Sequence, residues 1–399
     1  MFSMRKRRRV KKGKKLFNWR FLLFSVLFLG ITSLLIFSLF TLFNIKTVDP
    51  IEENIPGYGI LSKSEDVLES TIFIFEREKN EKRRIADVYV FLKNREKGIS
   101  LLIYLPGSLY FNGLEENFGN SVAISSLRYA GDFLQEGRGI EYGLWQLSEI
   151  LGFKVDKYVW VTTEAYEVFN EVYGDMNEVK EKYKDTYKKE KGVTLSESFF
   201  RLHSLSSQFS SLKTLLNPKV ISRLDGNIYS NISFFNVLRE IDGFESSVRS
   251  SETNALDISL PSYSTEELVS GGGQVRNINI SEYDKVLRGY LLGMIDKKLE
   301  KERVRVEVYN ASGQAGKAGV YARKILNNGL DVVRFGNAPK NLEKSVVYVS
   351  NAQDIPNSLS IVSEILLGRF EEVTERPSFM TTGDIVILLG EDISQIEIF

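Results

Sequence analysis

The chain has 399 residues, with 52 basic and 52 acidic side chains, one histidine and no cysteine. That length carries two or three domains with cores of their own. The missing cysteine excludes disulfide scaffolds and thiol catalysis, and a single histidine excludes His-rich metal sites.

The zero formal charge hides an asymmetry. Met1 to Arg20 holds ten Lys or Arg and no acid, and removing them leaves 42 basic against 52 acidic residues. Residues 1–20 read as a basic cytoplasmic tail. Phe21 to Phe43, "FLLFSVLFLGITSLLIFSLFTLF", is uncharged. As a helix it is about 34 Å long at roughly 1.5 Å per residue, enough to cross a hydrocarbon core of about 30 Å. Trp19 stands at its edge, where an indole sits among headgroups. The run exceeds a cleavable signal's apolar stretch, and "NIKTVDP" offers no small-residue cleavage site, so it reads as an uncleaved signal-anchor. Cations on the inner side place the bulk of the chain outside: cell membrane, single-pass, N-terminus cytoplasmic.

Residues 44–65, with Pro50, Pro56, Gly57 and Gly59 between charges, read as a stalk. "STIFIFE", a charged turn "KNEKRR", "IADVYVFLKN" and "ISLLIYLPGSLY" then read as strands, the last ended by Pro106-Gly107. Runs this apolar suit a sheet buried on both faces. "IEYGLWQLSEILG" and "TTEAYEVFNEVYG" are helix patterns closed by Gly152 and Gly174, with "KVDKYVWV" a short strand between them. Asp175 to Lys191 is almost wholly charged and reads as a solvated helix or mobile loop. "SQFSSLKTLLNPKVISRLDGN" and "ISFFNVLREIDGF" are amphipathic helices, which closes a domain over 66–245. Ser-rich 246–273 reads as a flexible connection, and with the helix "SEYDKVLRGYLLGMIDKKLEKE" it makes a linker over 246–302. Residues 303–399 alternate strand and helix, a small α/β domain.

"NASGQAGKAG", Asn310 to Gly319, has the look of a phosphate loop. Gly316-Lys317 is followed by Ala318, and Ala311 stands at the early glycine position, so the G-x-x-x-x-G-K-[ST] pattern fails. A tight strand-to-helix turn accounts for these glycines. The wider stretch "VEVYNASGQAGKAGVYARKILNNGLDVVRFGNAP" resembles the C-terminal module of LytR-type proteins, matching at Asn310, Ser312, Gly313, Gly329, Val332, Gly336, Asn337 and Ala338. The later "VVYV" and "DIVILLGED" match as well.

The larger domain resembles the LytR-CpsA-Psr family over roughly Leu68 to Phe244, through "IADVYVFLKNREKGISLLIYLPGSLYF", "GIEYGLWQLSEILGFKVDKYVWVTTEAYEVFNEVYG" and "SSQFSSLKTLLNPKVISRLDGNIYSNISFFNVL". The resemblance implies an α/β chain: one N-terminal transmembrane helix, an α/β/α domain around a central sheet, and the small C-terminal domain. It also implies a role in cell-wall biogenesis, moving a glycopolymer from polyprenyl pyrophosphate to the wall. Such chemistry needs cations over the phosphates and a metal held by carboxylates. Asp87 matches the family's first aspartate, as catalytic residue and metal ligand. Where the family has P-R-D-T, however, this chain reads Pro106, Gly107, Ser108 and Leu109. The R-Q-Q position reads Ser206, Ser207 and Gln208, a further arginine falls on His203, and Arg84 is one residue out of register.

Two readings stay open. In one, the family's scaffold binds polyprenyl-linked glycopolymer, wall polymer or a protein partner in envelope assembly, with transferase chemistry lost: a pseudoenzyme without a certain cofactor. In the other, an active phosphotransferase uses Mg²⁺ and cations recruited from Arg128, Arg138, Arg201 or Lys182 to Lys191. Arg84, Arg128 and Arg138 are the ligand-binding candidates. Nucleic acid is excluded as a partner, because the folded part is acidic and only some twenty residues are cytoplasmic.

Overall fold

The structure is a computed structural model, and it describes residues 19–51, 69–79, 82–111, 122–153, 155–173, 217–249, 253–268, 274–295 and 297–395. Residues 1–18, most of the expected stalk, the charged run 175–191 and positions Arg201, His203 and Ser206 to Gln208 lie outside these. Helix α1 (Trp19–Asn44) is the apolar run, and among the described residues it is the one helix long and apolar enough to cross a membrane. Phe21, Leu29 and Phe40 each leave about two thirds of their surface uncovered by the described residues. A helix apolar all round belongs in lipid or in a core, and the described residues build no core around this one.

Among the described residues ten strands follow: β1 (Glu69–Lys79), β2 (Lys82–Asn94), β3 (Ile99–Pro106), β4 (Leu109–Phe111), β5 (Val122–Ala123), β6 (Lys157–Val161), β7 (Ile228–Ser230), β8 (Thr253–Asp257), β9 (Ser264–Leu268) and β10 (Gln274–Ile278). Between and after them come α2 (Leu127–Leu134), α3 (Gly139–Leu151), α4 (Thr163–Tyr173), α5 (Pro218–Leu224), α6 (Phe234–Arg249) and α7 (Ile280–Met294). The central sheet runs β7-β6-β1-β2-β3-β8. Its near-continuous apolar strands fill two cores, as expected of a sheet covered on both sides. Ile72, Ile74, Val88 and Val90 face α2, α3 and α7, while Phe73, Phe75, Tyr89 and Phe91 face α4, α5 and α6. The result is the expected α/β/α layering.

Three details depart from the sequence reading. Leu109 to Phe111 is a strand of its own, in a second sheet ordered β5-β4-β10-β9. Ser-rich 246–273 is no plain linker: β8 pairs in parallel with β3, and Leu256 and Ile258 enter the core. Serine content gave no period there, and the partner strand lies some 150 residues upstream, so local pattern could not show the pairing. Of "SQFSSLKTLLNPKVISRLDGN", the described residues begin at Asn217, which caps a helix over Pro218–Leu224 and accepts from Lys219 N. That matches proline's place at the first helical position. Residues 46–48, expected in the stalk, lie against β7 and the turn before it.

Past α8 (Lys297–Glu302) the C-terminal domain adds β11 (Arg305–Asn310), α9 (Lys317–Asn327), β12 (Asp331–Asn337), β13 (Val346–Val349), α10 (Pro356–Ile365), β14 (Glu371–Val373) and β15 (Ile385–Leu389). Its sheet runs β12-β11-β15-β13-β14, with α9 and α10 packed on one face. On the other face the segment 374–384 covers Tyr309, whose ring meets Phe379 edge-on at 4.9 Å. The fully buried Glu307 fixes that segment, accepting from Thr382 N and Oγ1, Gly383 N and Tyr309 Oη.

The two domains share a polar joint. Arg323 of α9 donates to the Glu149 and Ile150 carbonyls at the open end of α3, at 2.5 and 2.7 Å, and to both carboxylate oxygens of Asp284. The last carbonyls of a helix have no partner within it, and a guanidinium is well suited to close them. Lys324 adds an ion pair to Glu149 at 2.6 Å.

Candidate functional site

The charged residues of the first domain collect where β1 turns into β2. The strands pair antiparallel with a register shift between Phe75 and Glu76, which sets Phe75 opposite Asp87 and Arg77 opposite Arg84. Alternation then sends Glu76 to the face of α2 and α3, and Arg77 and Asp87 to the face of α4.

On the α4 face, Asp87 is buried, 6 % exposed. The Tyr104 hydroxyl donates to Oδ1 at 2.8 Å, and Arg77 Nη2 lies 3.8 Å from Oδ2. The Arg77 guanidinium sits 5.1 Å above the Tyr166 ring, and Tyr104 stacks on Tyr89 at 5.0 Å. At the start of α4, Arg83 pairs with Glu164. Burial raises the Glu164 pKa, but the helix-start N–H, the Thr162 hydroxyl and the charges of Arg83 and Arg128 outweigh it and hold the carboxyl below its usual range.

On the opposite face Glu76 is wholly buried. Arg128 Nη1 reaches its two oxygens at 2.5 and 2.6 Å, and Trp160 Nε1 donates at 2.7 Å. The cluster is therefore built of matched pairs: Arg77 with Asp87, Arg83 with Glu164, Arg128 with Glu76. Arg84, opposite Arg77 on β2, is a fourth cation at this end, and Asp132 gives Arg128 a second carboxylate at 3.9 Å.

The candidates chosen from sequence are only partly brought together. Asp87, Arg84 and Arg128 share this end of the sheet. Arg138 instead ties down the turn between α2 and α3, donating to Glu141 and, at 2.8 Å, to Gln135 Oε1. Glu76, Arg77, Tyr104, Trp160, Arg83 and Glu164 were not singled out beforehand. A charge pair closing an otherwise apolar strand, "IFIFER", was the available signal for Glu76 and Arg77.

At Gly107, where the sequence resemblance implies an arginine, the backbone leaves no room for a side chain. A Cβ built on it would lie 2.0 Å from the Ile85 carbonyl oxygen, because Gly107 N donates to Ala86 O at 2.8 Å across the strands. The donor set does not fit a divalent cation either. Asp87 is one carboxylate, already occupied by a hydroxyl and a guanidinium, and among the described residues no group of three or more His, Asp or Glu is arranged to hold a metal.

The C-terminal motif residues form a hydrogen-bonded turn. Asn310 Oδ1 accepts from Ser312 N and Oγ at 3.1 and 2.7 Å, and Asn310 Nδ2 donates to Gln314 O at 2.6 Å. Gly313 has φ +76°, a left-handed conformation that favours glycine. Gly336 and Asn337 end β12 opposite Tyr309 and Asn310, and Ala338 N donates to Asn310 O at 2.9 Å.

Residues 303–392 match the family model described as LytR cell envelope-related transcriptional attenuator. No curated protein matches the chain. Among solved structures, "TagT bound to LIIa-WTA" is similar at 15% identity and TM-score 0.34, covering 63% of this chain and 94% of that one. TagV of B. subtilis is similar at 13% identity and TM-score 0.36, covering 58% and 98%. "LytR-CPS2A-psr family protein YwtF (TagT) with bound octaprenyl pyrophosphate lipid" is similar at 16% identity and TM-score 0.32, covering 63% and 97%. Likenesses this distant carry no correspondence of individual residues.

Proposed function

With residues 303–392 carrying a LytR-type module, we propose that the chain is a cell-envelope protein of the LytR-CpsA-Psr kind. It is anchored by Phe21 to Phe43, with both folded domains on the extracytoplasmic side. Its first domain recognises polyprenyl-linked glycopolymer or wall polymer as a scaffold and does not transfer it.

The observation that carries the loss of transfer is the paired cluster around Asp87. A pyrophosphate site needs an excess of positive charge facing the ligand. Here three of the four arginines, Arg77, Arg83 and Arg128, each face a carboxylate, and Arg128 is committed to a fully buried one. Gly107 agrees, since its packing excludes any side chain.

Transfer remains the second reading, favoured by the concentration of Arg77, Arg83 and Arg84 on adjoining ends of β1 and β2 beside Asp87. A binding experiment separates the two. The full chain in lipid nanodiscs is titrated with vesicles bearing polyprenyl pyrophosphate, with and without Mg²⁺. The scaffold reading expects binding that Mg²⁺ leaves unchanged, whereas binding that requires Mg²⁺ favours transfer.

A further inference from the structure

The join between α1 and the first domain has no slack. Asn44 ends α1, and Ile45, 4 % exposed, already lies in the core beneath α5 and α6. The following residues run beside β7: Val48 N donates to Ile228 O at 3.0 Å, and Ser230 N donates to Val48 O at 2.9 Å. Gly226 N donates to Lys46 O at 3.1 Å, and Lys46 N donates to Asp225 Oδ1 at 2.8 Å. Thr47 Oγ1 donates to Ile232 O at 2.9 Å, and the buried Tyr158 hydroxyl donates to Asp49 Oδ1 at 2.5 Å.

The last turn of α1 touches the domain as well. Phe43, 65 % exposed, stacks on Phe235 in the first turn of α6, with centroids 5.2 Å apart and planes at 28°. Phe235 is itself 37 % exposed, and Asn236, Arg239 and Lys46 near it are exposed too. Phe43 belongs to the apolar run. A ring stacked against it therefore sits at the same depth, in the layer where amphipathic and aromatic groups collect. Arg239 follows Phe235 by four positions, so both lie on one side of α6. An apolar ring flanked by cations is the chemistry of a surface that rests on anionic lipid.

We propose that the first domain docks on the bilayer surface through the first turn of α6. Phe235 enters the boundary between headgroups and acyl chains, Lys46 and Arg239 lie among the phosphates, and the domain keeps one orientation instead of swinging on a tether. The proposal rests on the reading of Phe21 to Phe43 as a membrane span.

The absence of cysteine from the chain makes the test clean. Single-cysteine variants Phe235→Cys and Asn236→Cys carry an environment-sensitive fluorophore, in full-length protein in phosphatidylglycerol–phosphatidylcholine nanodiscs. Asn236→Cys keeps Phe235 in place and serves if the first variant misfolds. Phe28→Cys reports the span, and Met380→Cys reports an exposed position of the C-terminal domain. The expected result is blue-shifted emission at 235 and 236, strong quenching by nitroxide lipid and protection from aqueous iodide, with the reverse at 380. A lipid-buried label at 28 with 235 and 236 as open to iodide as 380 overturns the docking while leaving the span intact. An iodide-accessible label at 28 overturns the span reading and the docking with it.

Discussion

Arg128→Met removes the cation from a carboxylate that has no exposed surface. Glu76 would keep one donor, Trp160 Nε1, which cannot balance a full negative charge in the interior. Breaking a buried pair from one side costs about 3–5 kcal/mol, whereas neutralising both partners is often close to neutral. For a domain of this size that loss lowers the unfolding midpoint by roughly 10 °C. Glu76→Gln in the same chain restores most of it, since the amide oxygen still accepts from Trp160 while the charge is gone. The assay is denaturation of the detergent-solubilised full chain followed by tryptophan emission, to which the buried Trp160 is directly sensitive. The informative quantity is the coupling energy of the double-mutant cycle, expected at about 2 kcal/mol or more for residues in contact. A single Arg128→Met variant losing less than about 1 kcal/mol would refute the reasoning. Arg128 would then not be spent on Glu76 and would be available to a phosphate ligand.

Other outcomes follow from the same contacts. Gly107→Ala forces a Cβ to within 2.0 Å of backbone, so it should cost about 2 kcal/mol or more by thermal unfolding and confer no transfer activity. Arg323→Ala opens three carbonyl and carboxylate partners at the domain joint and should cost on the order of 2–3 kcal/mol. It should also split one calorimetric transition into two, with the C-terminal domain melting apart from the first. The C-terminal domain should lose stability in acid. Burial raises the carboxyls of Glu302 and Glu307, but hydrogen bonds from Ser358 and Asn357, and from Thr382, Tyr309 and Gly383, outweigh it and hold both below the usual range. A depressed folded-state pKa stabilises above the unfolded value of about 4.3 and is lost as pH falls through the folded value. Acid unfolding followed by circular dichroism should therefore set in below about pH 4, and Glu307→Gln should flatten that dependence.

The architecture was legible where the signal is local. The apolar strands announced a sheet buried on both faces, and the turn glycines placed the ends of α3 and of the Asn310 motif. What local pattern missed is what long-range pairing decides. β8 and β9 lie in a Ser-rich stretch with no hydrophobic period, and β7 is three residues long. Asp87 was chosen by its match to the family's first aspartate, Arg84 as one residue out of register with the motif arginine, and Arg128 as an isolated cation able to line a pocket. Their partners were not visible. Which arginine faces which carboxylate depends on the register shift at Phe75 and on α2 reaching across the sheet to Glu76. The same holds for Gly107: the sequence resemblance implies an arginine there, and only the 2.0 Å approach of a Cβ to the Ile85 carbonyl shows that no side chain would fit.

The most direct test of the central claim is turnover. Full-length protein in nanodiscs is incubated with a polyprenyl-pyrophosphate-linked glycopolymer, a wall acceptor and Mg²⁺, and release of the polyprenyl phosphate is followed alongside binding. Binding without release, unchanged in Asp87→Ala, is the expected result. Release that disappears in Asp87→Ala would contradict it and establish this chain as a transferase.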